Sequence, residues 1–316
     1  SFNPVPEVLD TAYYQYILGG QGNMWTEYMP DSRQVEYMLL PRLTALAEVL
    51  WHNPTERNFN AFAKNIPAHF ERFAKAGFYY SKALYQIRAE VLPDYRNKGL
   101  NVMLSTYDPE GQIFYTLDGS TPDNTASAYQ QVLSIDSTTV VRARVYANGK
   151  AQSPEFNKQY LFSKITASKV NLKSAAHPSY NMHGEFTLVD GTRGTLPWKG
   201  NEWLGFWGED MEATIDYGSK THFQKVTAGV LRDEGSWIYL PASMEVYTSL
   251  DSVQFTFKGF LDASAIAQGA PYITVSFDAT EARYIKIVLR NAGTISEGKS
   301  GAGFKAWLFV DEILAE

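Results

Sequence analysis

From about residue 80 onward, the apolar residues of this chain recur in short runs at every second position. Before that point they recur at helical spacing. This change of period constrains the fold most, because side chains alternate across a strand but return every three to four residues on a helix. Asn101 to Tyr107, Gln112 to Leu117, Thr139 to Tyr146 and Phe156 to Phe162 read as strands. In the third of these, Val141, Ala143 and Val145 face one side, and Arg142, Arg144 and Tyr146 the other. Asp108-Pro109-Glu110-Gly111, Asp118-Gly119 and Asn148-Gly149 break the pattern. Asn-Gly is a strong hairpin signal, since a type I′ turn needs positive φ at both central residues. Short strands spread over residues 79–163 predict a small β-sandwich.

The stretch before residue 79 predicts helices. Leu43, Leu46, Ala47, Leu50 and Trp51 fall on one helical face, with Pro41 at the first turn and Asn53-Pro54 as the stop. Phe59, Phe62, Ala63 and Ile66 begin a second helix, in which Pro67 predicts a kink or a fresh turn before a cap at Gly77. Residues 164–316 are again β-rich. Glu212 to Asp216, Val226 to Leu231, Met244 to Ser249, Tyr272 to Phe277, Ala282 to Leu289 and Phe309 to Ile313 read as strands, separated by polar, Trp-containing loops as in a jelly roll. The expected organisation is therefore mainly β and multidomain: residues 1–78 helical, 79–163 an immunoglobulin- or fibronectin-like sandwich, and 164–316 a jelly roll.

Composition narrows the function. A net charge of −6 argues against nucleic acid as the main partner, and zero cysteine excludes disulfides and a thiol nucleophile. No run approaches the roughly 18 apolar residues of a membrane helix. With 20 Tyr, 18 Phe and 7 Trp, the chain has aromatics enough for binding platforms as well as cores. It opens Ser1-Phe2-Asn3-Pro4, without an initiator Met or a leader, and reads as a piece of something longer.

The stretch Gly19-Gly20-Gln21-Gly22-Asn23-Met24-Trp25-Thr26-Glu27-Tyr28 clears side chains from a crowded place and sets Trp25 and Glu27 two apart. If extended, both point the same way, and an indole beside a carboxylate suits a sugar. The alternative is a buried Trp with a helix-capping Glu. Together with Pro41 to Trp51 (Pro-Arg-Leu-Thr-Ala-Leu-Ala-Glu-Val-Leu-Trp), the stretch resembles the last strand and helix of family 20 glycoside hydrolases, the β-N-acetylhexosaminidases, over about residues 1 to 78. That resemblance implies the end of a (β/α)8 barrel, with Trp25 walling an N-acetylglucosamine pocket and Glu27 bonding the sugar hydroxyls. Arg42 and Glu48 read as structural members of the helix motif.

The same resemblance implies a retaining, substrate-assisted reaction, in which the 2-acetamido oxygen attacks and an adjacent Asp-Glu pair orients it and donates the proton. Glu209-Asp210, Asp233-Glu234 and Asp311-Glu312 are the adjacent acids here, and none follows the family's glycine-preceded strand. The first two read as solvated or structural. We therefore expect no catalytic residue in this chain, and no hydrolysis by it alone.

Two further resemblances complete the reading. Gly111 to Pro122, with Tyr-Thr-Leu-Asp-Gly-Ser-Thr-Pro followed by Val-Arg-Ala-Arg, looks like the small sandwich domain C-terminal to bacterial hexosaminidase barrels, a spacer or a weak sugar contact. Leu188 to Gly191, Ala213 to Gly218, Trp237 to Pro241, Val246 to Ser249 and Phe309 to Ile313 together look like a discoidin-like domain, the coagulation-factor C-type fold found in many galactose-type carbohydrate-binding modules. The resemblance implies one structural Ca²⁺, with Asp190, Thr192, Thr195, Asp311 and Glu312 at the matching spacings and all-oxygen donors suited to it. The alternative is a metal-free loop turning at Gly191. Trp198, Trp203 and Trp207 are dense; Trp203 and Phe206 run into a strand pattern and read as core, leaving Trp198 and Trp207 as sugar-platform candidates. His177, His183 and His222 are scattered, and none reads as a ligand.

The expectation is then the C-terminal part of a bacterial exo-β-N-acetylhexosaminidase, periplasmic or extracellular. Its partners would be glycans ending in N-acetylhexosamine or galactose-type sugars, and the rest of the barrel. The rival is a non-enzymatic carbohydrate-binding or adhesion protein.

Overall fold

The computed structural model describes residues 3–316. The N-terminal segment carries three helices, α1 (Ser32–Leu39), α2 (Arg42–Trp51) and α3 (Phe59–Lys75). Each start follows from a local residue. Asp31 and Asn58 accept hydrogen bonds from the amides of Gln34 and Ala61, and Pro41 precedes α2. Pro67 does not break α3, which runs through it. Ala63, Ile66 and Phe70 are buried along one face, and this packing outweighs the one backbone bond that Pro67 removes. Gly77 closes the helix with φ +77°, the Phe78 amide reaching the Phe73 carbonyl and the Gly77 amide that of Ala74.

The middle unit is a sandwich of two antiparallel sheets. One contains β1 (Arg88–Asp94), β2 (Gly99–Ser105) and β5 (Leu133–Ile135). The other contains β3 (Gln112–Thr116), β4 (Ser127–Ala128), β6 (Thr139–Ala147), β7 (Lys150–Ala151) and β8 (Phe156–Tyr160). Val141, Ala143 and Val145 of β6 are fully buried, as their alternation requires. Asn148 (φ 51°) and Gly149 (φ 71°) form the two-residue turn from β6 to β7. β1, which contains Pro93, is absent from the periodicity reading; it pairs along its whole length with β2 alone.

The named strands of the C-terminal unit pair antiparallel, ordered β10 (Leu204–Trp207), β15 (Trp307–Ala315), β11 (Met211–Val230), β14 (Tyr272–Arg290), β12 (Ser243–Ser249), β13 (Thr256–Asp262), with β9 (Lys169–Leu172) also on β11. One short helix, α4 (Ala263–Gly269), precedes β14. The sequence pattern splits β11 and β14 into two strands each. The backbone ladder instead continues through the polar middles, with register shifts between Asp216 and Thr221 and between Phe223 and Lys225. These shifts bend β11, so that Ala213–Asp216 pair with β9 while Val226–Val230 pair with β15. A single strand thereby serves both faces around one large apolar core, which includes Phe223, Met211, Ile215, Met244, Ile285 and Val310.

The units are stitched together. The Leu161 amide bonds the Gly191 carbonyl (2.7 Å), the Lys164 amide that of Ala315 (3.0 Å), and the Ala167 amide that of Val189 (2.9 Å). Ala167 belongs to the sandwich core, and Phe186 packs against both cores. Among the described residues, no helix is long and apolar enough to cross a membrane.

Candidate functional site

Strand β10 ends on Trp207 and β15 begins on Trp307, and antiparallel register sets these two residues opposite one another. Their indoles stack at 5.6 Å and 16°. His177 meets both edge-on, at 6.5 and 5.1 Å, and Tyr180 stands edge-on to Trp307 at 5.2 Å. Trp207 is 43% exposed, and its Nε1 donates to the Lys305 carbonyl, so one ring face is open while the ring plane is fixed. A fixed, half-open indole with polar neighbours can stack on the C–H face of a pyranose.

Trp198 is held differently. It is half-buried against Tyr180 and Phe309, and its Nε1 donates to Asp233 Oδ2 at 2.9 Å. The Ser236 hydroxyl and then this indole N–H hold the Asp233 carboxyl below its ordinary range. Trp198 is thus fixed by aromatic packing and by its N–H, and it is less open than Trp207. Trp203 is buried and donates to the Thr195 carbonyl.

A second aromatic pair escapes the sequence reading. Trp237 and Phe304 stack at 5.0 Å and 16°, with Phe304 56% exposed. Trp237 sits at φ 64°, and any side chain at Gly301 would strike its indole. The Trp307 amide donates to the Trp237 carbonyl (2.9 Å), joining the two pairs at one end of the unit. Trp307 lies two residues before the strand start read from Phe309, and a cross-strand aromatic at each end of a ladder is the signal that could have found it. Asp210 takes the Asn291 amide and Arg290, and Asp233 the Trp198 indole, so both serve as structural acceptors.

The five residues singled out for a metal lie where the linker, the Asp190–Thr195 loop and β15 meet. Asp190, Thr192, Asp311 and Glu312 are buried, and Thr195 is exposed. Asp190 Oδ1 accepts from the Thr192 amide and hydroxyl, Glu312 Oε2 from the Gly191 amide (3.0 Å), and Asp311 Oδ2 from the Gly194 amide (2.8 Å). Arg193 Nη1 stands 3.6 Å from Asp311 Oδ1, and His183 Nδ1 4.0 Å from Asp190 Oδ2. Glu312 Oε1 is buried with no protein partner. Burial, and then the Asp190 and Asp311 charges, push the Glu312 carboxyl well above its usual range, and burial raises Asp311 too. Among the described residues, no three His, Asp or Glu side chains converge as a metal-holding group. Any ion here would therefore draw on carbonyl and hydroxyl oxygens beside its carboxylates.

Trp25 and Glu27 lie on the N-terminal segment, in irregular backbone that turns at Glu27, and both are exposed, Trp25 by 73%. No strand pairs with this stretch among the described residues. The platform, the acid cluster and this pair are three separate places on the chain.

Residues 1–54 match the glycosyl hydrolase family 20 catalytic domain, and residues 102–160 the Fn3-associated family. A β-hexosaminidase of Porphyromonas gingivalis is 27% identical over 154 residues, 49% of this chain and 20% of that protein. A β-N-acetylhexosaminidase of Cellulomonas fimi is 36% identical over 62 residues, 20% of this chain and 12% of that protein. The alignments thus span a fifth or less of these relatives. Among solved structures, a Clostridium perfringens family 32 carbohydrate-binding module, in complex with GalNAc-β-1,3-galactose, covers 47% of this chain and 94% of its own, with TM-score 0.34 and 16% identity.

Proposed function

We propose that this chain is the C-terminal part of an exo-β-N-acetylhexosaminidase that releases terminal N-acetylhexosamine with retention by substrate assistance. It would supply one wall of the sugar pocket and a glycan-holding module, and it would act in the periplasm or outside the cell. The observation that carries this reading is the family 20 match over residues 1–54, on a segment whose sugar-facing pair and helix face are exposed. In a barrel, Trp25 would stack on the N-acetylglucosamine ring and Glu27 would accept its hydroxyl protons. The Asp-Glu pair that orients the acetamido group and protonates the leaving oxygen would come from an earlier strand. The middle sandwich spaces the two binding regions.

Trp207, backed by Trp307, is the surface proposed to hold galactose-type or N-acetylhexosamine glycans. We also propose Ca²⁺ at the acid cluster. The buried, unpartnered Glu312 Oε1 supports this, and Asp190, Glu312 and oxygens of Thr192, Thr195 and Asp311 would hold the ion. The ion would neutralise the cluster and tie the Asp190–Thr195 loop to β15.

The test is turnover of a chromogenic N-acetylglucosaminide. The isolated chain should show none, and a longer parent containing a glycine-preceded Asp-Glu pair should show it. In that parent, Trp25→Ala and Glu27→Gln should each lower kcat/KM by about 10- to 100-fold. Activity of the isolated chain would overturn the assignment of catalysis. A parent without the pair would favour the non-enzymatic binding reading, for which the Trp207 platform alone suffices.

A further inference from the structure

A cleft of about 320 Å³ opens at the seam between the sandwich and the C-terminal unit, apart from both the platform and the acid cluster. The β1–β2 turn brings Tyr95 and Lys98 to it, β9 brings Lys169, and the bend of β11 brings Tyr217 and Ser219. Asp216 and Arg283 lie at its edge, joined by two bonds of 2.8 Å, and Asp216 also stands opposite Lys169 in the β9–β11 register and feels its charge. Two ammonium groups remain. Lys98 Nζ sits 3.6 Å from the Tyr217 ring centroid and 3.3 Å from Ser219 Oγ. Lys169 Nζ sits 5.9 Å from the Tyr95 ring, which is itself 53% exposed. Among the described residues, neither ammonium lies within 4.0 Å of a carboxylate.

This is an unusual arrangement in a chain of net charge −6. A lysine laid on an aromatic face keeps its charge but surrenders part of its freedom, so it is already positioned when an anion arrives. Between two such lysines and an open tyrosine ring, the cleft has room for one hexose-sized body carrying a negative group. An inorganic ion would use the lysines and leave the Tyr95 face bare.

We propose that the seam cleft binds an anionic sugar residue, its carboxylate or sulfate ester lying between Lys98 and Lys169 and its ring against Tyr95. The proposal rests on the glycan reading above but uses a different surface from Trp207. A uronate and a sulfated hexosamine present the same chemistry, and binding measurements can separate them.

The experiment is isothermal titration of the intact chain with glucuronate, N-acetylglucosamine 6-sulfate, N-acetylglucosamine and sodium sulfate. One or both charged sugars should bind, more weakly as salt is raised. Whichever binds names the source of the anion. Lys98→Asn keeps a residue tolerant of φ 53°, and Lys169→Gln keeps an exposed polar strand position; each should weaken that binding by about tenfold. The control Lys220→Gln should leave it unchanged. Sulfate alone binding as tightly as either sugar would overturn the proposal, as would indifference to both lysine variants. Binding of neutral sugars only, lost in Trp207→Ala, would end the seam proposal and leave the glycan reading standing. Binding of none of the four would end the seam proposal and leave the glycan reading to galactose-type ligands and the turnover test.

Discussion

The N-terminal segment and the C-terminal unit are equally well patterned in sequence, and they bury that pattern very differently. Around β11 and β14, residue after residue is withdrawn from water, Phe223, Met211, Ile215 and Met244 completely. Along α2, the face formed by Leu43, Leu50 and Trp51 is open, Trp51 by 85%. Only Ala63, Ile66 and Phe70 of the three N-terminal helices are buried, the last two clustered with Tyr80 and Tyr85. Apolar periodicity therefore states which face a helix offers, while burial requires something to receive it. In the C-terminal unit the receiving surface is the facing part of its own bent sheet. For α2 it is the remainder of a barrel, if the proposed function holds.

Mutations of graded size should break or sharpen this contrast. Phe223→Ala should cost about 3–5 kcal/mol in urea denaturation followed by tryptophan fluorescence, since it empties a closed core. A change below about 1 kcal/mol would mean the unit is not a single packed body. Next in size, saturating Ca²⁺ should stabilise the C-terminal unit by about 2–3 kcal/mol, a shift of roughly 5–10 °C in Tm by scanning calorimetry. EDTA should reverse the shift and Glu312→Gln should abolish it, whereas α1 to α3 should not respond. Trp207→Ala should weaken glycan binding about tenfold with little change in Tm, while Trp198→Phe, which forfeits the bond to Asp233, should lower Tm and spare binding.

Smaller still is the Asp216–Arg283 pair. Hydrogen bonds from the Arg283 guanidinium first, and also from the Gly218 amide, hold the Asp216 carboxyl below its ordinary value of 3.8. The carboxyl binds its proton more weakly folded than unfolded. Its stabilisation is therefore complete above that ordinary value and is lost as pH falls through the lower folded one. Asp216→Asn should remove this acid limb and, at a partly exposed pair, change neutral-pH stability by about 1 kcal/mol or less. Smallest of all, Trp51→Ala should leave the isolated chain within about 0.5 kcal/mol of its parent. In a complete barrel the same substitution should destabilise severely.

The sequence made the strand alternation in β6, the Asn148-Gly149 turn and the two helix faces legible, because each follows from residues adjacent in the chain. It did not show that β11 and β14 are continuous, since their polar middles are held by backbone bonds that carry no apolar signature. The candidate site was half legible. Density of Trp drew notice to 198–207, yet only register reveals that Trp207 meets Trp307 and only the fold brings Trp237 to Phe304. That the Trp198 N–H is held depends on Asp233, thirty-five residues beyond Trp198. Buried acids are equally opaque from spacing alone: Asp190 and Glu312 are an ordinary turn and an ordinary strand end until the fold places them together.

The linker at residues 161–168 is bonded into both of its neighbours, through Thr138 of the sandwich on one side and through Gly191 and Ala315 of the C-terminal unit on the other. Such a joint acts as a ruler rather than a leash. A flexible tether would let an attached catalytic domain sweep the substrate surface within an arc, raising local concentration at every point of it. A stitched joint gives up that search and fixes a standoff; under the proposed function, whatever the far end grips would determine which bond, at which distance, is offered to the pocket. Insertion of a Gly-Ser segment between Phe162 and Ser163 would convert one device into the other. Its effect on long glycans, compared with short ones, measures the length of the ruler.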